Sequence, residues 1–261
     1  MPQTLRMTIY RYTMRLGEPT SSHKVNRLPF GLYAKVGNGS NLVEALATQY
    51  VSRNTSVPVP IILDVTKDNN GTLFLMTRVP GQAVADMEGG LNAASPEQLS
   101  VFTDTIRDWL TQLQSLTPPS DGSICGFLGG DFSSHRILFD ERVGPFESQD
   151  VFHAQMFCTL WPSADPAIAA LARTVHQKRY RMCFTHGDLS PDNILVDHHF
   201  RPIGLVDLQC AAWMPEHWDF TTALWRRQRY VAWFNAFTQA FPQYRNELAV
   251  EIELWKTICP F

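Results

Sequence analysis

The run Thr185-His186-Gly187-Asp188-Leu189-Ser190-Pro191-Asp192-Asn193-Ile194-Leu195-Val196-Asp197 constrains the fold more than any other stretch of the chain. It contains a short apolar strand, and a second one, Pro202-Ile203-Gly204-Leu205-Val206-Asp207, follows at hairpin distance. Asp188 and Asn193 are five positions apart on a loop, and Asp207 lies fourteen residues further on. Two paired strands would therefore hold one carboxylate, one amide and a second carboxylate together. Phosphoryl transfer from Mg-ATP needs that set: a base for an incoming hydroxyl, and oxygen ligands for magnesium. An acid at the end of a buried strand is costly to desolvate without a cation or donors nearby. Reading Asp207 as a plain loop cap leaves the matched Asp188 and Asn193 unexplained.

The neighbours of this set have simpler roles. Gly187 permits a tight backbone that aims Asp188 into a cleft. His186 reads as a structural histidine orienting the loop in preference to a general base. Asp192 faces solvent, and Asp197 is a turn residue before His198-His199, a pair without the spaced partners of a metal site.

Upstream, Met7–Tyr12, Lys24–Leu28 and Gly31–Val36 read as strands, rich in β-branched and aromatic residues. Ile61–Val65 and Thr72–Thr77 flank the turn Asp68-Asn69-Asn70-Gly71. Residues 5–77 are thus expected to form a five-stranded antiparallel sheet with one inserted helix, Asn41–Val51. Gly17-Glu18-Pro19-Thr20-Ser21-Ser22 is either a surface turn or a phosphate-covering loop, with Ser21 and Ser22 as donors. Lys35 near a strand end either reaches to solvent or grips phosphates, steadied by Glu44. Glu44 also fits a capping box, Asn41-x-x-Glu44, that would serve only its own helix.

Arg78-Val79-Pro80-Gly81 is the expected hinge, dividing lobes 1–80 and 81–261. Backbone groups from Thr77 to Val79 are placed to read a nucleotide base. Beyond it the pattern turns helical. Ser95 caps a helix with Pro96 at its first position, and Leu99, Phe102, Ile106, Trp109 or Leu110, and Leu113 mark its buried face. Residues 117–150 read as a long irregular, substrate-side stretch. Asp165-Pro166 opens a further helix, and helical patterns return after Asp207.

Composition narrows the partners. A net charge of −3, from 22 basic and 25 acidic residues without a Lys/Arg block, gives no support to a nucleic-acid or anionic-membrane partner. Five scattered cysteines without a CxxC pair argue against disulfides and zinc, and point to the reducing cytoplasm. The start Met1–Arg6 lacks a signal-peptide core, and no 18-residue apolar run spans a membrane.

His186-Gly187-Asp188-x-x-x-x-Asn193 and Gly204-Leu205-Val206-Asp207 resemble the catalytic loop and metal-binding strand end of the aminoglycoside phosphotransferase/choline kinase family. The resemblance covers most of the chain. It implies an α+β, bilobal protein-kinase-like fold: a small antiparallel N-lobe sheet with one helix, and a larger, mainly helical C-lobe. It implies Asp188 as catalytic base, Asn193 and Asp207 as magnesium ligands, and Lys35 with Glu44 at the ATP phosphates. Segments such as Arg53–Pro60 and Trp213–Trp218 are similar to fungal members. Two departures stand out: Leu208-Gln209 follows Asp207 where relatives often have Trp-Glu, and the loop at 17–23 is glycine-poor.

Asp207 to Pro215-Glu216 is too short for a peptide-docking activation segment, so the expected acceptor is a hydroxyl on a small molecule: aminoglycoside-like, an amino-alcohol or a secondary metabolite. Glu216, Asp219, Trp213 and Trp218 are candidates for its pocket, the acids for a cationic amine and the indoles for stacking, against ordinary core packing for the tryptophans. A nucleotide-binding pseudokinase and a kinase-like fold with other chemistry are the rival readings. Oligomeric state is left open.

Overall fold

A computed structural model describes residues 3–20, 24–37, 40–68, 71–118, 122–157, 165–225 and 230–257. The chain opens with helix α1 (Gln3–Arg15). Five strands then form one antiparallel sheet: β1 (Glu18–Pro19), β2 (Val25–Leu28), β3 (Leu32–Gly37), β4 (Ile62–Asp68) and β5 (Gly71–Thr77). They are ordered β1-β2-β3-β5-β4. Helix α2 (Ser40–Asn54) is inserted between β3 and β4.

The expected strand at Met7–Tyr12 is instead the middle of α1, so this sheet carries two helices rather than one. Its β-branched and aromatic residues favour a strand locally, but tertiary contacts decide the outcome. In a helix, Arg6 and Tyr10 stand one turn apart on one face. Both reach Asp64 on β4: Arg6 Nη1 lies 2.6 Å from Oδ1, and the Tyr10 hydroxyl donates to Oδ2 at 2.7 Å. Burial and the bond to Asp64 push the Tyr10 hydroxyl up to about 12. A strand would place residues four apart about 13 Å from each other, beyond the reach of one carboxylate.

Past Thr77 the chain enters β6 (Gln82–Ala83) and the long helix α3 (Pro96–Ser115). Ser95 caps α3, accepting from the Gln98 amide while the Gln98 side chain accepts from the Ser95 amide. The expected face is buried at Phe102, Ile106, Trp109, Leu110 and Leu113. The stretch expected to be irregular contains β7 (Cys125–Gly126) and the hairpin of β8 (Phe132–Ser134) with β9 (Leu138–Val143).

Helices α4 (Gln149–Phe157) and α5 (Pro166–Gln177) follow, α5 capped by Asp165. Then come β10 (Met182–Thr185), β11 (Ile194–Val196), β12 (Pro202–Leu205) and β13 (Ala212–Pro215). Helices α6 (Trp218–Leu224), α7 (Val231–Ala240) and α8 (Arg245–Thr257) complete the described residues. The expected hairpin exists: β11 pairs antiparallel with β12, and β6 joins its other edge. A second small sheet runs β10-β13-β7.

The main core links α2 to the helical part. Ala47 and Val51 of α2 pack with Phe184, Leu189, Leu208 and the inward face of α3. Tyr50, Phe127, Phe184 and Trp213 form an aromatic cluster at the same junction. Among the described residues no helix is long and apolar enough to cross a membrane, and Cys125, Cys183 and Cys210 are buried free thiols.

Candidate active site

The loop between β10 and β11 is built by backbone strain and buried hydrogen bonds. Gly187 has φ +81°, and a Cβ there would stand 2.1 Å from the Cys210 carbonyl oxygen. Only glycine tolerates both. The adjacent amides of His186 and Gly187 each donate to the Asp219 carboxylate, at 2.9 Å to Oδ2 and Oδ1. The His186 ring closes the loop from the other side: Nε2 lies 2.9 Å from the Val206 carbonyl, and the Asp188 amide donates to Nδ1 at 3.2 Å. These two contacts select the tautomer with the proton on Nε2, so His186 is the structural histidine expected.

Asp188 is thereby presented beside Asn193. The Asn193 side-chain amide donates to the Asp188 carbonyl at 2.8 Å and to its Oδ2 at 3.3 Å. With its nitrogen so used, the Asn193 side-chain oxygen is the group left to face a cation. The Val206 amide donates to the Asn193 carbonyl at 3.0 Å, which ties the loop to the strand end carrying Asp207. Asp207 takes a left-handed conformation, φ +65° and ψ +63°, uncommon for a non-glycine residue and frequent where a side chain must be re-aimed.

Asp207 meets Lys35 across the cleft. Lys35 Nζ lies 3.1 Å from Asp207 Oδ1 and 2.7 Å from Glu44 Oε2. Asn41 sits inside α2 rather than at its cap, and Glu44 points at the lysine. Burial alone would pull the Lys35 ammonium down, but Glu44 and Asp207 together hold it above its ordinary value. Glu44 is pushed up to about 7, first by burial and then by the charge of Asp207.

These groups line one cleft of about 480 Å³ between the five-stranded sheet and the β11–β12 hairpin. Lys35, Glu44, Thr77, Val79, Asn193 and Asp207 all border it. The Thr77 and Arg78 amides are already donated to the Ile61 and Gly31 carbonyls, at 2.9 and 2.8 Å. Thr20 borders the cleft, while Ser21 and Ser22, the expected phosphate donors, lie outside the described residues.

The four acceptor-pocket candidates do not gather there. Trp213 is 3% exposed in the aromatic cluster, its Nε1 donating to the Phe127 carbonyl at 3.1 Å. Trp218 is buried under the Arg136 guanidinium, 4.2 Å from the ring centroid. Asp219 is fully enclosed and spends both oxygens on the catalytic-type loop; burial pushes its carboxyl up although His186 and the two amides pull it down. Glu216 lies 3.7 Å from Arg181, and its carbonyl accepts from Gln114 at 2.7 Å. Leu208, the departure after Asp207, is a buried residue of the main core.

Sequence reasoning misassigned Asp219 to the acceptor pocket and did not single out His135. The role of Asp219 was foreshadowed by its setting, an acid between Trp218 and Phe220 whose burial demands hydrogen-bond donors. His135, in the turn between β8 and β9, places Nε2 3.9 Å from Asp188 Oδ2; no motif marks it.

The architecture is that of the kinase-like phosphotransferases. Residues 41–249 match the model of the APH Phosphotransferase enzyme family, and the chain belongs to that family. Among solved structures, it is similar to a GDP complex of an aminoglycoside 2'-phosphotransferase-IIIa mutant, with a TM-score of 0.59 at 11% identity over 95% of this chain and 86% of that one. Aminoglycoside phosphotransferase APH(3'')-Id from Streptomyces rimosus, in complex with ADP and streptomycin, aligns with a TM-score of 0.58 at 17% identity over 95% and 97%. A macrolide 2'-phosphotransferase type I aligns with a TM-score of 0.51 at 13% identity over 88% and 79%. At these identities the likeness is one of fold. No curated protein matches the chain.

Proposed function

We propose that this protein is an ATP- and magnesium-dependent phosphotransferase that acts on a hydroxyl of a small molecule. The observation that carries the reading is the placement of Lys35 between Glu44 and Asp207, on the same cleft as Asn193, whose side-chain amide donates to Asp188. A lysine braced by a helix glutamate suits the α- and β-phosphates, and the two lobes, 1–80 and 81–261, would close on the nucleotide. Ser21 and Ser22 remain our candidates for covering it, and the Thr77–Val79 backbone for its base.

The donor set fits magnesium. Asp207 and the Asn193 oxygen are hard oxygen ligands on one edge of the cleft, and an ion with few protein ligands completes its shell with phosphates and water. When bound there, magnesium supplies charge neutralisation on the β- and γ-phosphate oxygens. The chain's own groups do the rest. Asp188 accepts the acceptor's hydroxyl proton as that oxygen bonds to the γ-phosphorus, and the bond to the bridging oxygen breaks with its electron pair leaving on ADP. Positioning of the two substrates is worth more than chemistry at any one side chain in such transfers.

A small acceptor is supported by the chain after Asp207. It forms one short turn, Leu208–Cys210, and enters β13 directly, which leaves no long segment to seat a peptide. The acceptor class we favour is aminoglycoside-like, an amino-alcohol or a hydroxylated secondary metabolite, as streptomycin is the small molecule bound in one similar structure. Asp188→Asn should abolish acceptor-dependent ADP release and leave Mg-ADP binding by calorimetry intact, whereas Asp207→Ala should weaken that binding. Wild-type turnover in Asp188→Asn would remove the base, and no thermal shift of the wild type with Mg-ATP would favour a non-catalytic protein.

A further inference from the structure

His135 stands in the turn that joins β8 to β9, and this turn is fixed from below. Its next residue, Arg136, is buried, pairs with Glu251 of α8 and lies over the Trp218 ring of α6. The Ile137 amide donates to the Ser134 carbonyl at 3.2 Å and closes the turn. β8 itself packs against the turn Leu208–Cys210 that follows Asp207. A side chain locked into the core on one side sets the direction of its neighbour on the other. The His135 ring is 34% exposed, so it stays open to solvent while Nε2 sits 3.9 Å from Asp188 Oδ2.

We propose that His135 is a second contact for the acceptor hydroxyl, and that it shares the nucleophilic oxygen with Asp188. This rests on the phosphotransferase reading above. A separation of 3.9 Å is too long for a hydrogen bond but short enough for one oxygen to bridge. An acceptor oxygen about 2.8 Å from each atom completes a triangle with them, and such bridging contacts tighten when substrate arrives. The hydroxyl then gives its proton to Asp188 and takes a hydrogen bond from His135 on one lone pair. The remaining lone pair is the one that bonds to phosphorus. Asn193 also donates to the same Asp188 Oδ2 at 3.3 Å, which fixes the carboxylate that receives the proton. The gain is orientational, and an error of about 1 Å in such a site costs on the order of a hundredfold in rate.

The test uses the full chain with Mg-ATP, followed by ADP release, first with water as the acceptor and then with a panel of amino-alcohols and aminoglycosides. His135→Ala should lower turnover by about ten- to a hundredfold while the Mg-ADP dissociation constant, read by calorimetry, stays at its wild-type value. Added imidazole should restore part of the lost rate in His135→Ala and none in Asp188→Asn, because a ring bound in the vacated space can contact the nucleophile again. A merely structural histidine would not be rescued. Wild-type turnover in His135→Ala, or a loss that imidazole leaves untouched, would overturn the assignment with the kinase reading intact. A wild-type protein that binds Mg-ATP and forms no ADP with water or with any panel acceptor would overturn both.

Discussion

Replacing Asp219 by asparagine tests whether this acid builds the loop or binds a substrate amine. Its two oxygens accept from the His186 and Gly187 amides, both at 2.9 Å, in a fully buried site. Hydrogen bonds to a charged group contribute about 1.5–3 kcal/mol each. Asparagine keeps one acceptor of ordinary strength, about 1 kcal/mol, and turns an NH2 toward the other amide. That amide is then buried and unpaired, at a cost of about 1–3 kcal/mol. Asparagine also escapes the desolvation that pushes the Asp219 carboxyl up, which offsets part of the loss. The net expectation is a destabilisation of about 2–4 kcal/mol, or a melting midpoint lower by about 5–15 °C for a chain of this size. Differential scanning fluorimetry measures the midpoint, and kinetics at a permissive temperature should show reduced turnover for every acceptor alike, since the loop that carries Asp188 has slackened. An unchanged midpoint together with lost affinity for cationic acceptors only would refute the reasoning and return Asp219 to the substrate pocket.

Further outcomes follow from the charged groups at Glu44 and Asp64. Glu44 has its folded value raised from the ordinary 4.5 to about 7, so its contribution to stability is fully present below 4.5 and is lost as pH rises through 7. The same proton governs its pairing with Lys35: kcat/KM for the nucleotide should fall on the acid side of about pH 7, and Glu44→Gln, slower throughout, should lack that limb. A pH–rate profile that keeps the limb in Glu44→Gln would assign it to another group. Asp64→Ala removes the carboxylate that Arg6 and Tyr10 of α1 share and should loosen the helix's docking by about 1–3 kcal/mol, after discounting for partial exposure. Hydrogen exchange should then quicken across Gln3–Arg15 while the catalytic-type loop stays protected; unchanged exchange in α1 would show that apolar contacts such as Met7 suffice to hold it.

What was legible in the sequence was whatever local chemistry decides. The β11–β12 hairpin follows from two apolar runs at short spacing, and Gly187 from the turn it must make. The α3 face follows from 3.6-residue periodicity, and its cap from Ser95-Pro96 with Gln98 three positions on. Lys35 and Glu44 were less determined, since each has an ordinary local explanation. Their pairing across β3 and α2 is a tertiary fact, and the capping box falls away separately because α2 already begins at Ser40 and Asn41 lies inside it.

The misreadings share one physical cause: the side chains involved are decided by partners far away in the chain. Met7–Tyr12 looks like a strand until Asp64, more than fifty residues on, offers a carboxylate that Arg6 and Tyr10 can share only from a helix. Trp213, Trp218 and Asp219 look like a binding surface because indoles and an acid suit a cationic ligand. The same groups are as well suited to burial. Trp213 stacks on Phe127 at the junction of sheet and helices, Trp218 receives Arg136, and Asp219 receives two amides. Each therefore acts on the site through the backbone it supports. Composition cannot separate the two uses, because binding a ligand and binding one's own chain draw on the same chemistry. His135 shows the converse. An unremarkable histidine becomes a neighbour of Asp188 only because Arg136 beside it is committed to Glu251 and Trp218. Weakening that anchor with the paired change Arg136→Met and Glu251→Met, which leaves no buried charge unpaired, should therefore lower turnover, read as ADP release, in the wild type and not further in His135→Ala; an equal loss in both backgrounds would show that the anchor acts by another route.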